Sequence, residues 1–210
     1  MAIPFESIVT SEQHLRDLVG VPSDRAKLKE RPTLDVHSRA FIARSPFLLM
    51  ATSGADGRCD VSPKGDPPGF VHVLDDQRLV IPERPGNKRL DGMKNILTNP
   101  HVGLIFFVPG RQETLRVNGR AWVTVDPDLL SRMVVQGKTP LLAIGVEVEE
   151  SFLHCPKAFI RSQLWKHDEW PSADALPSMA CVLHDQIRPE GITVQDYEGD
   201  MEEANRKRLY

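Results

Sequence analysis

The chain has 210 residues, 40% of them hydrophobic and 26% charged, with a formal net charge of -3. This suits a folded chain with a sizeable core, and it excludes both a disordered polymer and a global basic field for nucleic acid or an anionic membrane. Any anion site must therefore be local.

Three scattered cysteines, Cys59, Cys155 and Cys181, form no CxxC pair. They read as reduced thiols of a cytosol, not as a disulfide framework or a structural zinc site. The segment Met1–Glu6 lacks the basic region and apolar run of a signal peptide, and no apolar stretch approaches the ~18 residues of a membrane span. The expectation is a cytoplasmic protein with neither membrane nor nucleic acid as partner.

The first third reads helical. Ser11 is a plausible N-cap for a helix whose apolar face carries Leu15 and Leu18-Val19 and which ends at Gly20. Ser23 caps a short helix over Asp24 to Glu30, and a third spans Leu34 to Arg44. The pattern then changes to strands. Phe47 to Ser53 ends in Gly54-Ala-Asp-Gly57, which is hairpin turn chemistry, and Arg58 to Lys64 returns. Phe70 to Leu74 and Gln77 to Ile81 follow, and a helix is expected from Lys88 to about Leu97, stopped by Asn99-Pro100.

Val102 to Val108 reads as a strand buried on both faces. Glu113 to Val125 is a long strand with a bulge or kink at Gly119. Asp126-Pro127 opens a short helix, and Pro140 to Glu149 is another strand. Beyond Ser151 the chain reads mainly helical, ending in a charged helix over Asp196 to Tyr210. About six short strands with one inserted helix argue for a small antiparallel barrel.

Four segments can carry chemistry. In Val80-Ile-Pro-Glu-Arg-Pro-Gly-Asn-Lys-Arg89 a strand leads into a helix, and the expectation places Lys88 and Arg89 in its first turn. Cations there oppose the helix dipole unless an anion is bound, a phosphate being the natural one; the alternative is an exposed basic turn paired with Glu83 or Asp91. In Ser62-Pro-Lys-Gly-Asp66 the proline leaves the Ser62 hydroxyl and the Lys64 ammonium at a strand end, beside a ligand or in solvent. Alternation puts Thr114, Arg116 and Asn118 on one face of their strand, along a cofactor groove or facing water. Arg161 and Trp165, four apart, are expected to be helix neighbours that close on a flat aromatic ligand or pack on each other. His154 and Cys155 are adjacent and point apart, which argues against a thiol nucleophile.

The order of these segments resembles the pyridoxamine 5'-phosphate oxidase-related flavoproteins over roughly Phe47 to Trp165. The matching stretches are Ser62-Pro-Lys, Gly86-Asn-Lys-Arg, Arg116-Val-Asn-Gly-Arg-Ala and His154-Cys-Pro-Lys-Ala with its later Arg-Ser and Leu-Trp. The resemblance implies an α+β fold: a six-stranded antiparallel split β-barrel over residues 46–150, with helical extensions over 1–45 and 151–210. It implies a homodimer with FMN at the subunit interface. Lys64, Asn87, Lys88 and Arg89 match positions that hold the FMN phosphate and ribityl chain. Ser62 and the strand Val80-Ile81-Pro82 match contacts around the flavin ring. Thr114 stands where the oxidases carry a ring-contacting Gln, and Arg116 lies two residues on. Arg161, Ser162 and Trp165 would close the site.

The oxidases also carry a C-terminal Arg-x-His motif for their substrate. Trp165-Lys-His-Asp-Glu169 matches it only in part, so the resemblance supports FMN binding and stops short of pyridoxamine phosphate as substrate. The function implied is an FMN-dependent oxidoreductase acting on a small molecule. The rival readings are a non-catalytic flavin carrier, or the same barrel holding F420 or haem, the latter needing an axial ligand such as His154 or His167.

Overall fold

The computed structural model describes residues 5–210, so Met1 to Pro4 of the opening segment lie outside it. Helix α1 (Glu12–Val19) is capped by Ser11, and α2 (Asp24–Leu28) by Ser23, each hydroxyl accepting a first-turn N–H. Neither helix buries a residue. The following segment is clipped to the barrel: Arg31 and Ser151 exchange both backbone hydrogen bonds, and the Ser151 hydroxyl donates to the Thr33 carbonyl at 2.8 Å. Helix α3 (Val36–Ile42) begins at Asp35, whose carboxylate accepts the Ser38 N–H.

Seven strands make one antiparallel sheet: β1 (Phe47–Ser53), β2 (Cys59–Gly65), β3 (His72–Val73), β4 (Arg78–Pro82), β5 (His101–Phe107), β6 (Thr114–Thr124) and β7 (Ala143–His154). Their order across the sheet is β2-β1-β5-β6-β7-β4-β3. All seven lie on segments that read as strands; the expected Phe70 to Leu74 strand shrinks to the two-residue β3, an edge strand paired with β4, and counting it makes seven where about six were expected. Strand β7 also carries the barrel past residue 150, to His154. The sheet curls around one apolar core built from alternate residues, including Leu48, Met50, Leu104, Phe106, Leu115, Val117 and Ile144. Helix α4 (Asp91–Thr98) adds Met93 and Ile96 to that core.

Two expectations need correction here. Strand β5 is not buried on both faces: Val102, Leu104 and Phe106 face the core, while Gly103, Ile105 and Phe107 are half-exposed on the outside. The inserted helix starts at Asp91, not Lys88, because Lys88 (φ 62°) and Leu90 (φ 61°) take left-handed backbone that no right-handed helix can include. The expected bulge is present: the β6–β7 register shifts between Asn118 and Gly119. A Cβ on Gly119 would lie 2.0 Å from the Glu147 carbonyl oxygen, so only glycine fits.

Four strands separate β2 from β4 in the sheet, yet the curl brings their ends together. Two ion pairs span the gap: Lys64 with Glu83, and Arg84 Nε with Asp66 Oδ2 at 2.6 Å. The Asp66 carboxylate is fully buried and also accepts the Tyr210 hydroxyl at 2.7 Å. Tyr210 arrives there at the end of a helical extension containing α6 (Lys157–Ser162), α7 (Met179–Ile187) and α8 (Val194–Lys207), while α5 (Pro127–Ser131) lies between β6 and β7. Helices α7 and α8 pack on each other.

Candidate functional site

A cavity of about 410 Å³ opens beside the Lys64–Glu83 pair. Its polar wall comes from Ser62 and Lys64 of β2, Glu83 after β4, and Asn87 and Arg89 of the loop before α4. The β1–β2 register explains the β2 contribution. Ser62 pairs with Met50 and Lys64 with Leu48, so both side chains take the core-facing side, while Pro63 points out.

The start of α4 completes the wall. Leu90 stands at the N-cap without any side-chain cap, and the first helical bond runs from Lys94 N to Leu90 O. The N–H groups of Asp91, Gly92 and Met93 thus lack helical acceptors, and all three residues border the cavity. Gly92 permits the close packing there: a Cβ would lie 3.2 Å from Met50 Cε and 3.6 Å from Ser62 Oγ.

Charge in the cavity is balanced. Lys64 is paired with Glu83, and Arg89 Nε donates to Asp91 Oδ2 at 2.7 Å, a bond that raises the Arg89 pKa further. The Asn87 side-chain oxygen accepts the Arg89 N–H at 3.0 Å and fixes the loop. The paired basic turn weighed from the sequence is therefore present, and so are the uncapped amides that an anion would use. An apolar cavity of about 430 Å³ adjoins the first across Gly86, Asn87, Leu90 and Met93.

The other expected residues are distributed as follows. Lys88 does not border the first cavity, because its left-handed backbone turns it toward Lys138 and α8. Ile81 is buried in the barrel core, Val80 is buried in a separate cluster with Leu130, Met133 and Ala143, and Pro82 is buried at the end of β4. Thr114 and Arg116 lie on the opposite side of the sheet, in the register Pro63–Leu49–Ile105–Arg116–Phe152 across five strands. The Arg116 guanidinium sits 5.3 Å from the Phe152 ring centroid, and Lys29 Nζ lies 4.8 Å from the same ring. The His154 ring packs on Phe152 as well, tilted by 42°, with its Nε2 buried and unpartnered among the described residues; burial, then the charges of Arg116 and Lys29, lower its pKa.

Arg161 and Trp165 are not helix neighbours. Gln163 takes left-handed backbone (φ 52°) and ends α6, so Trp165 lies beyond it. Trp165 instead donates to the Arg111 carbonyl at 2.6 Å and ends an aromatic row through Phe159 and Phe107 to Phe47. Arg161 is exposed, and the Ser162 hydroxyl bonds back to Phe159. Within one chain, then, Ser62, Lys64, Asn87 and Arg89 meet, whereas Thr114, Arg116, Arg161, Ser162 and Trp165 do not join them. The sequence reading missed Asp66, Arg84 and Tyr210, whose contacts bridge 18 and 144 residues without any local signal.

Among the described residues no group of His, Cys, Asp and Glu is arranged to hold a metal, and no helix is long and apolar enough to cross a membrane.

The family model for pyridoxamine 5'-phosphate oxidase matches residues 34–155. The chain belongs to this family. The match begins at the buried Leu34 just before α3 and ends one residue past β7, so it takes in the whole barrel and both sides of the cavity. No curated protein matches the sequence. Among solved structures, HupZ of Group A Streptococcus is 18% identical, over 57% of this chain and 92% of its own, with a TM-score of 0.47. An FMN-binding protein of Syntrophomonas wolfei is 10% identical, over 68% and 97%, at 0.44. The heme storage protein HutZ of Vibrio cholerae is 16% identical, over 58% and 93%, at 0.41.

Proposed function

We propose that this member of the family binds FMN at the split of the barrel and works as an FMN-dependent oxidoreductase on a small molecule. The observation that carries the reading is the convergence of Ser62, Lys64, Asn87, Arg89 and three uncapped amides on one cavity, next to an apolar one. A phosphate group fits that donor set: the amides of α4 and the Arg89 guanidinium supply hydrogen bonds, and Asp91 can yield its partner. Lys64 and Ser62 would reach the polar chain beyond the phosphate. Bound flavin supplies hydride transfer at its own ring, and the protein positions it and excludes water.

The homodimer belongs to the same proposal. The outer face of the sheet carries Leu49, Ile105, Phe107 and the largely exposed Val61 beside Arg116. An apolar face of this kind suits a second copy, and pairing there is the route by which Arg116, Arg161 and Trp165 of one subunit would approach a cofactor held by the other.

The test is FMN titration of Arg89→Ala, an exposed change at the cavity wall. Affinity is expected to fall roughly tenfold or more through loss of one charge-assisted contact. Unchanged affinity in Arg89→Ala, with unchanged affinity in Lys64→Met, would remove the phosphate assignment.

A further inference from the structure

Helix α4 carries the uncapped amides of the cavity, so whatever fixes the helix fixes them. Its inner side buries Gly92, Met93 and Ile96, and among these stands a half-buried polar residue, Asn95. An amide in such a place costs free energy unless it is hydrogen-bonded. Asn95 Nδ2 donates to Thr52 Oγ1 at 3.1 Å and to Asp60 Oδ2 at 2.8 Å. A carboxylate only accepts, so Asp60 dictates which end of the amide faces it. Thr52 is 4% exposed, and the Asp60 carboxylate accepts no other hydrogen bond among the described residues.

The strand register explains the placement. Thr52 and Asp60 are directly opposed across β1 and β2, and the next pair on the same face is Met50 with Ser62. Gly92 lies three residues before Asn95, on the same side of the helix, and packs against Met50, Thr52 and Ser62. The helix thus runs along the two strands with its N-terminal end toward Ser62. Neither Asn95 nor Asp60 borders the cavity.

We infer that Asn95 is a positioning residue for the anion of the cavity: by clamping α4 to the Thr52–Asp60 pair, it holds the amides of Asp91, Gly92 and Met93 where a phosphate group binds. That this phosphate belongs to FMN rests on the reading above; the clamp itself does not. Asn95 acts only through the helix, so it affects the phosphate and leaves the rest of a cofactor untouched. Leucine at this position keeps the volume and donates nothing. It leaves a buried hydroxyl and a carboxylate without their partner and frees α4 to shift. Hydrogen bonds from the three amides to an anion weaken steeply as their alignment is lost.

The experiment titrates the full chain with FMN, with riboflavin, which lacks the phosphate, and with inorganic phosphate. The quantity read is the ratio of FMN to riboflavin affinity. In Asn95→Leu that ratio is expected to fall roughly tenfold or more, with riboflavin binding as in wild type. An unchanged ratio, or equal weakening of both flavins, overturns the positioning role, because a merely structural residue would weaken both alike. Should Asn95→Leu fail to fold, Thr52→Val decides on the same ratio. It keeps the shape and the Asp60 contact, and a fall of roughly threefold is expected; no fall overturns the clamp. Asp60→Asn retains an acceptor oxygen for Asn95 and should keep at least the wild-type ratio. A loss there as large as in Asn95→Leu would mean that charge acts and the clamp does not. If wild type takes up neither flavin but binds inorganic phosphate, and Asn95→Leu loses it, the clamp stands and the flavin reading falls. Wild type that binds neither flavin nor phosphate overturns both.

Discussion

Replacing Arg84 with Met tests how the barrel is held at its split. The Asp66 carboxylate is fully buried, the Arg84 side chain is 14% exposed, and Nε approaches Oδ2 to 2.6 Å. With Arg84 gone, the Tyr210 hydroxyl remains as the carboxylate's one side-chain partner among the described residues. A buried charge left in that state costs about 3–5 kcal/mol, a large part of the roughly 5–15 kcal/mol that stabilises an ordinary domain. The double variant Arg84→Met/Asp66→Asn removes the stranded charge as well as its partner. It should regain about 2 kcal/mol or more relative to the sum of the single variants, since residues in one network are not additive. Urea unfolding of the four proteins, followed by tryptophan fluorescence at constant slope, gives the coupling directly. A loss below about 1 kcal/mol in Arg84→Met, or simple additivity in the cycle, would refute the view that this pair closes the barrel.

Gly119→Ala should destabilise the protein by about 1–3 kcal/mol or more, since its Cβ must displace the Glu147 carbonyl from 2.0 Å and overpacking carries that cost. Thermal unfolding checks it, and a neutral result would mean that the bulge is dispensable. Acid should also weaken the fold. Burial, reinforced by nearby cations, lowers the pKa of His72 and of His154 below the ordinary 6.5. Well above pH 6.5 both residues are neutral whether folded or unfolded and make no difference. Below it the unfolded chain takes up protons that the folded chain resists, so stability declines as pH falls. The double variant His72→Gln/His154→Gln should show a shallower fall in melting temperature between pH 7 and pH 5; an equal fall would place the acid sensitivity elsewhere.

Most of the barrel could be read from the sequence because its signals are local. The Ser11 and Ser23 caps, the Gly54–Gly57 hairpin and the Gly119 kink each depend on a few neighbouring residues, and each lies where expected. Misreadings arose where backbone conformation decides. Nothing in the pattern Asn87-Lys-Arg-Leu90 announces two left-handed residues, yet these delay α4 by three positions and turn Lys88 away from Arg89. Gln163 likewise ends α6 and separates Arg161 from Trp165. The Asp66–Arg84–Tyr210 node was beyond reach for another reason. It depends on the curl of the sheet bringing β2 to β4 and on a helical extension returning to that point, and both are properties of the whole fold.

The central claim is that the cavity at the split holds FMN. The visible spectrum of freshly purified protein, with the released chromophore identified by mass, tests it most directly. A yellow protein that releases FMN, or a colourless one that takes up added FMN at one per chain, is the predicted result. A protein that neither carries flavin nor takes up added FMN would contradict it, and a Soret band would identify haem as the ligand instead.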